Sequence, residues 1–198
     1  MFKPTIKQIK AVFAKKGYRF FEGGNPYNLN IIGIRSASSI PNLFNETLMV
    51  VFNDELQQEH KAYFPYTTKA GLYYLKNPLN KTGCAITAEG QYLSSFIKRK
   101  HRGLYYALCQ HKAIDYYRDA NLNDKHELIG KKVSGNVGLN IHREAPNRIT
   151  QKVGKNSAGC GVIQVSFDYF MFLIDMGIKY HRNLFSYTLI NEKDFYPV

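Results

Sequence analysis

Two side chains that could carry out thiol chemistry, His142 and Cys160, lie 18 residues apart in the C-terminal half of the chain. A cysteine is a useful nucleophile only as the thiolate, and a neighbouring imidazole is the usual group that favours that form near neutral pH. The spacing leaves room for a strand, a loop and a turn that bring the two residues together. The pair therefore predicts acyl transfer, with Cys160 as the nucleophile and His142 as the base that later protonates the leaving amine.

The residues just before the cysteine are small, with the sequence Ser-Ala-Gly at 157–159. Small residues leave the backbone uncrowded, so the N–H groups of Gly159 and Cys160 are candidate donors to a developing oxyanion. Ser157 is predicted either to hydrogen-bond the imidazole or to hold the loop. No Asp or Asn is placed as an obvious third member, so a backbone carbonyl is the expected partner of His142. The competing interpretation is a buried structural thiol beside an ordinary strand histidine, which is the commoner situation for a single cysteine.

Further candidates for substrate binding come from basic and aromatic segments. His101 lies in the basic run 98–102 and is predicted to contact a substrate carboxylate, the alternative being a solvated loop. Tyr73 belongs to a group of tyrosines that would offer flat rings to a sugar, the alternative being aromatic core packing. Arg118 and Asp119 are expected to form an ion pair, either near the cleft or elsewhere on the surface.

The spacing of ligating residues predicts neither a metal nor a cofactor. Six histidines are scattered without HExxH spacing, and the sequence contains no CxxC pair, P-loop or GxGxxG motif. The three cysteines, Cys84, Cys109 and Cys160, are odd in number and widely spaced, which argues against a disulfide framework and a zinc site. We therefore expect structural roles for Cys84 and Cys109.

The composition describes a folded, strongly basic chain. Its 198 residues carry 27 Lys and Arg against 15 Asp and Glu, which gives a net charge of +12, and 44% are apolar. This charge predicts attraction to a polyanion, whether nucleic acid, an anionic membrane or a cell wall. No run approaches the roughly 20 apolar residues of a membrane-spanning helix, and no apolar segment follows the first charges as in a signal peptide. We expect a protein that first stays in the cytoplasm of the producing cell, without stable membrane insertion.

The elements that must position the pair are mostly strands, because apolar and aromatic runs alternate with turn residues as in a sandwich or barrel. Strands are predicted at residues 18–21, 29–35, 47–52, 61–66, 72–75, 84–87, 137–142, 162–165 and 187–190, with 105–118 either a helix or two strands. Helices are predicted at 4–16, ended by Gly17, and at 166–174, with Ser166 as N-cap. The expected fold is mainly β (α+β), in one domain of residues 1–198. It has an N-terminal helix and strand extension at 1–26 and a catalytic region at 27–192.

The C-terminal half resembles the catalytic domain of the L,D-transpeptidases. That family carries a His-Gly on a strand, then a loop and a Ser/Thr-x-Gly-Cys turn before an apolar strand, and here His142 and residues 157–160 follow that order. A weaker similarity to the family's Thr-Pro-x-Gly-x-Phe/Tyr segment at residues 67–74 implies that Thr68 and Tyr73 line the substrate cleft. Arg143 stands where the family has Gly and is assigned to substrate binding, and no arginine closely follows the cysteine as it does in many members.

The resemblance implies a β-sandwich with a few helices and acyl transfer through a Cys160 thioester on peptidoglycan. A cross-linking enzyme needs export, so the favoured hypothesis is a phage or prophage endolysin that cleaves stem or cross-bridge peptides. It would be a monomer held in the host cytoplasm until lysis, then acting on the periplasmic cell wall, with peptidoglycan rather than nucleic acid as its partner. The alternatives are an L,D-transpeptidase that forms cross-links and a non-catalytic, basic phage structural or nucleic-acid-binding protein.

Overall fold

A computed structural model describes residues 1–145 and 148–196 of the chain. The strands are β1 (Asn30–Arg35), β2 (Glu46–Asn53), β3 (Glu59–Thr67), β4 (Cys84–Thr87), β5 (Gly90–His101), β6 (Tyr105–Gln110), β7 (Ile114–Asp119), β8 (Val133–Gly135), β9 (Ile141–Arg143), β10 (Gly161–Ile163) and β11 (Phe185–Asn191). The helices are α1 (Ile6–Lys16), α2 (Leu72–Lys76) and α3 (Phe167–Tyr180), and a 3-10 helix spans Glu192–Phe195. Among the described helices, none is both long and apolar enough to cross a membrane.

The prediction of a mainly β (α+β) fold is confirmed, but the strands are arranged differently from the expected sandwich. Eight of them form a closed barrel in the order β1-β11-β5-β6-β9-β10-β3-β2. The other three form a separate small sheet in the order β4-β7-β8. The larger sheet therefore closes on itself, which removes its free edges.

The long apolar runs in the first half of the chain are explained by burial on both faces of the sheet. All six residues of β1 and the first seven of β2 are buried. One face lines the barrel interior, and the other is covered by α1, which packs Ile9, Val12 and Phe13 against it. A capping box formed by Thr5 and Gln8 starts this helix. Gly17 ends it, as the sequence predicts. Strands covered on both faces lose the polar–apolar alternation.

Four predicted elements differ in the structure. Residues 18–21 form no strand, and residues 72–75 belong to α2 instead of a strand. The strand expected at 137–142 is reduced to β9, because residues 137–139 form a loop held by a buried side chain described below. Ser166 does precede α3, but its side chain makes no capping hydrogen bond.

Two short parallel strands position the predicted pair. β9 and β10 are neighbours in the barrel, with Ile141 opposite Gly161 and His142 opposite Val162. Cys160 is the residue just before β10. Because successive side chains alternate between the two faces of a strand, this register directs residues 142 and 160 toward the same face.

The last described strand, β11, completes the barrel by lying between two earlier strands. β11 lies parallel to β1 and antiparallel to β5, so it separates two strands that come much earlier in the chain. The preceding helix α3 inserts Phe170, Leu173 and Ile174 into the interior hydrophobic cluster. Both the wall and the core of the barrel are therefore completed by C-terminal residues.

Candidate active site

His142 and Cys160 line the same cavity, which has a volume of about 430 Å³. Its walls come from the loop 137–139, the turn 156–158, the start of β4 and two arginines, Arg102 and Arg118. The cavity thus lies between the parallel pair β9–β10 and the small sheet. The arrangement of the strands brings together the two residues that the sequence singled out.

The Cys160 thiol is protonated at neutral pH in the free protein. Its Sγ donates a hydrogen bond to the carbonyl oxygen of Gly138 at 3.3 Å. Burial raises the pKa of the thiol, and this effect is only partly opposed by a hydrogen bond from the Asn140 backbone and by the positive charge of Arg102. To act as a nucleophile, this thiol would have to lose its proton during the reaction.

The His142 ring is held by a backbone carbonyl, the kind of partner that the sequence predicts for it. Nδ1 lies 2.6 Å from the carbonyl oxygen of Arg143. A carbonyl oxygen can only accept, so Nδ1 carries the proton and Nε2 has the free lone pair. The hydroxyl of Tyr105, at 3.4 Å from Nδ1, is a further neighbour of this atom. The tautomer fixed in this way is the one needed for a base acting through Nε2.

The imidazole is neutral over most of the pH range. Burial lowers the pKa of His142 to about 4, the Arg143 carbonyl opposes that change, and the nearby His101 and Arg102 add to it. A neutral imidazole and a neutral thiol that line one cavity differ from a preformed thiolate–imidazolium pair. The arrangement supports proton transfer coupled to attack on a bound substrate, as in general-base catalysis.

The low pKa of His142 predicts a loss of stability between pH 6.5 and about 4. In that window the unfolded chain binds a proton on this ring and the folded chain does not, so the free energy of unfolding falls as the pH falls. The total change is about 3 kcal/mol. Urea unfolding at several pH values should show it, and a His142→Gln variant should show a smaller dependence. Burial also lowers the pKa values of His101 and His126, so the variant should keep the part of the pH dependence that these two residues contribute. If the variant kept the whole wild-type pH dependence, His142 would not be its source.

Ser157 and Gly159 shape the turn that presents the cysteine. The Ser157 hydroxyl donates to the carbonyl oxygen of Cys160 and accepts from the N–H of Gly159, both at 3.0 Å. Of the two roles predicted for Ser157, the structure favours holding the loop. The Gly159 N–H is occupied by this contact and is not available as an oxyanion donor. Among the described residues the Cys160 N–H has no hydrogen-bond partner, which leaves it as the candidate donor.

A buried glutamine, Gln110, organises the loop that forms one wall of the cavity. Its Oε1 accepts hydrogen bonds from the N–H groups of residues 137–139, and its Nε2 donates to the carbonyl oxygens of Lys112 and Gly135. The loop includes Gly138, whose carbonyl oxygen accepts from the Cys160 thiol. Sequence reasoning missed Gln110, because a single Gln on a strand carries no local signal of contacts made 25 or more residues away.

His101 supports the catalytic candidate and does not face the substrate cavity. Its ring stacks on that of His142 with the centroids 4.6 Å apart. Asn140 donates a hydrogen bond to His101 Nδ1 at 3.0 Å, while its backbone carbonyl accepts from the N–H of Gly161. His101 thus packs behind the imidazole, outside the described lining of the cavity, and its contact with a substrate carboxylate stays a prediction.

The other predicted substrate-binding residues lie outside the described lining of this cavity. Thr68 is buried, where its hydroxyl donates to Glu46 and accepts from Arg35. Tyr73 is 44% exposed on α2, with the ammonium group of Lys155 4.2 Å from its ring centroid.

Arg143 covers the ring of Tyr105 at 4.2 Å and lines a separate cavity of about 330 Å³. Its neighbours there include Ser166 and Phe167 at the start of α3. Arg143 is therefore oriented away from the cavity that holds Cys160, although it follows His142 directly in the chain.

The cavity also includes Cys84, which was expected to be structural, and Arg118, for which a place near the cleft was one of two expectations. Cys84 lies in its wall, where burial raises the pKa of the thiol to about 12 and Sγ donates to the carbonyl oxygen of Ala158. Arg118 also lines it, while Asp119 is buried and accepts backbone hydrogen bonds, so the expected ion pair between these two is not formed. Cys109 is buried elsewhere, beside the Arg99 carbonyl. Among the described residues no group of three or more His, Cys, Asp or Glu side chains could hold a metal ion.

Comparisons with protein-family models, with curated proteins and with solved structures find no match for this chain. The resemblance to the L,D-transpeptidases therefore stays a prediction from the sequence motifs.

Proposed function

We propose that this protein is a cysteine-dependent peptidoglycan hydrolase of the endolysin type, with an L,D-transpeptidase-like site. It cleaves a stem or cross-bridge peptide through a thioester on Cys160. The same proposal includes its setting, the host cytoplasm until lysis and then the periplasmic cell wall. The net charge of +12 would favour association with anionic wall polymers.

One observation carries the proposal: a thiol and a neutral imidazole of fixed tautomer share a cavity large enough for part of a peptide. A structural cysteine has no need of such a partner. The imidazole is held by a carbonyl on one nitrogen and stacked on a second ring, which leaves Nε2 as its basic atom. A basic Nε2 in the cavity that also holds the thiol is one of the features that general-base activation of a nucleophile requires.

In the proposed reaction Sγ of Cys160 attacks a peptide carbonyl carbon while His142 Nε2 accepts the thiol proton. The resulting oxyanion is stabilised by the N–H of Cys160. The C–N bond then breaks, His142 donates its proton to the leaving amine, and a thioester remains. Water, deprotonated by the same imidazole, attacks the thioester; the C–S bond breaks, and a carboxylic acid and the free thiol are released.

Digestion of purified sacculi, followed by mass spectrometry of the soluble muropeptides, tests this function. Hydrolysis should produce fragments with one new free amino group for each bond cut, together with a gain of 18 Da, the mass of one water molecule, per cut. The matched sample is the same protein pretreated with iodoacetamide, which should release no new fragments because the nucleophile is alkylated. Undigested sacculi after treatment with the unmodified protein would contradict the proposal.

The same measurement separates the alternatives. New cross-links without net hydrolysis would identify an L,D-transpeptidase, in which an amine replaces water as the acceptor. A non-catalytic basic binder would leave the muropeptides unchanged and would bind nucleic acid with an affinity that falls steeply with added salt. Its binding would also be indifferent to alkylation of Cys160.

A further inference from the structure

The charge of the candidate site is one-sided. Arg102 and Arg118 both line the cavity that contains Cys160, and none of the described residues lining it is Asp or Glu. Neither arginine forms an ion pair within the described ranges 1–145 and 148–196. Two guanidinium groups that face one cavity, with no carboxylate in its described lining, favour a ligand with negative charge.

The two arginines are presented in different ways. Arg118 is half-buried on β7, where its Nη1 donates to the carbonyl oxygen of Gly83 at 3.1 Å and its guanidinium lies 5.0 Å from the Tyr116 ring centroid. Arg102 is exposed in the tight turn between β5 and β6, with φ of 51°. The guanidinium of Arg118 is thus held in place by its neighbours. The guanidinium of Arg102 extends from a turn, and its charge acts on both His142 and Cys160.

We propose that Arg102 and Arg118 determine specificity by binding a carboxylate of the acyl donor, so that the site selects peptides with a carboxylate near the bond to be cleaved. This inference rests on the proposed function for its meaning in catalysis. Guanidinium is suited to the task because its planar N–H groups match the two oxygens of a carboxylate. No arginine follows Cys160 closely in the sequence. Arg118 on β7 and Arg102 in the β5–β6 turn instead supply the anion-binding groups of the cavity.

Alkylation of Cys160 tests the subsite without requiring any peptidase activity. In iodoacetate and in iodoacetamide the sulfur displaces iodide from the same methylene carbon, the thiol proton passes to solvent, and only the carboxylate or carboxamide differs. The ratio of the two rates therefore reports recognition of the carboxylate. Peptide mass spectrometry shows which cysteine is modified. We expect it to be Cys160, because Cys84 and Cys109 are buried.

We expect the rate ratio of iodoacetate to iodoacetamide to fall about tenfold in an Arg102→Gln/Arg118→Gln double variant, the effect of losing a charge-assisted hydrogen bond. The matched control is an Arg19→Gln/Arg182→Gln double variant. It removes the same net charge from two exposed arginines outside the described lining of this cavity and should leave the ratio nearly unchanged.

Equal ratios in both double variants would overturn the inference. If the first double variant does not fold, each single variant is measured, and wild-type ratios in both would overturn it equally. If the ratio falls in the Arg102→Gln/Arg118→Gln variant but the wild-type protein leaves sacculi intact, the anion subsite is retained and the hydrolase is rejected. If the wild-type protein digests sacculi but the ratio is unchanged in the variant, the hydrolase is retained and the anion subsite is rejected.

Discussion

Replacement of Cys160 by alanine is expected to lower the rate of sacculus digestion at least about 1000-fold, because the variant lacks the atom that forms the thioester. The fold should survive. The residue is only half-buried, and its side chain makes only weak hydrogen bonds, to the Gly138 carbonyl and from the Asn140 backbone. Turbidity clearing and the melting temperature, measured on the same preparation, check both parts of the prediction.

A Cys109→Ala variant is the matched control for this substitution. Cys109 is buried and its Sγ lies 3.7 Å from the carbonyl oxygen of Arg99, outside the described lining of the cavity. Its removal should lower stability by about 1 kcal/mol through lost packing while clearing persists. If the Cys160→Ala variant cleared sacculi at the wild-type rate, the proposed thiol mechanism would be wrong.

A Gly159→Ala variant is expected to lose about 4 kcal/mol of stability and, with it, the geometry of the site. The residue has φ of 130°, and a Cβ at this position would lie 2.1 Å from the carbonyl oxygen of Ala85. That oxygen belongs to the backbone of β4, so the clash cannot be relieved by a side-chain rotation. The turn held by Ser157 would have to move away from the small sheet, which changes the cavity between them.

Urea unfolding of Gly159→Ala and of Gly17→Ala separates the close approach from backbone strain. Gly17 has φ of 67° at the end of α1, and a Cβ there would meet no atom within 4 Å. Its substitution should cost only about 1 kcal/mol. Equal midpoints for the two variants would show that the contact with Ala85 carries no energetic weight.

The shared location of the candidate pair and most of the strands could be predicted because their signals are local. Apolar runs identified β1, β2, β3 and β11, and lysine-rich helical periodicity identified α1. The Ser-x-Gly-Cys turn and the upstream histidine identified Cys160 and His142. The segment 72–75 was predicted as a strand, since its leucines and tyrosines suit a pleated sheet. In the structure Gly71 donates its N–H to the Ser157 carbonyl, and the chain turns into a short helix after it.

The surroundings of the pair could not be predicted, since they are set by contacts between distant elements. Gln110 reaches its loop through the register of β6, and Arg118 reaches the cavity through the position of the small sheet. Thr68 was expected in the cleft because of its neighbours in sequence. Its hydroxyl instead satisfies the buried carboxylate of Glu46, a partner that only the pairing of β2 with β3 brings close.

The position of β11 has a consequence for how the protein is made. Of the described strands this one is synthesised after all the others, yet it lies between β1 and β5, and until it is in place those two strands have unpaired edges. Exposed edges promote association between chains, and pairing between the first and last strands is a slow, non-local step. The barrel therefore closes only after residues 185–191 have left the ribosome, and until then the edges of β1 and β5 stay open to pairing with another chain.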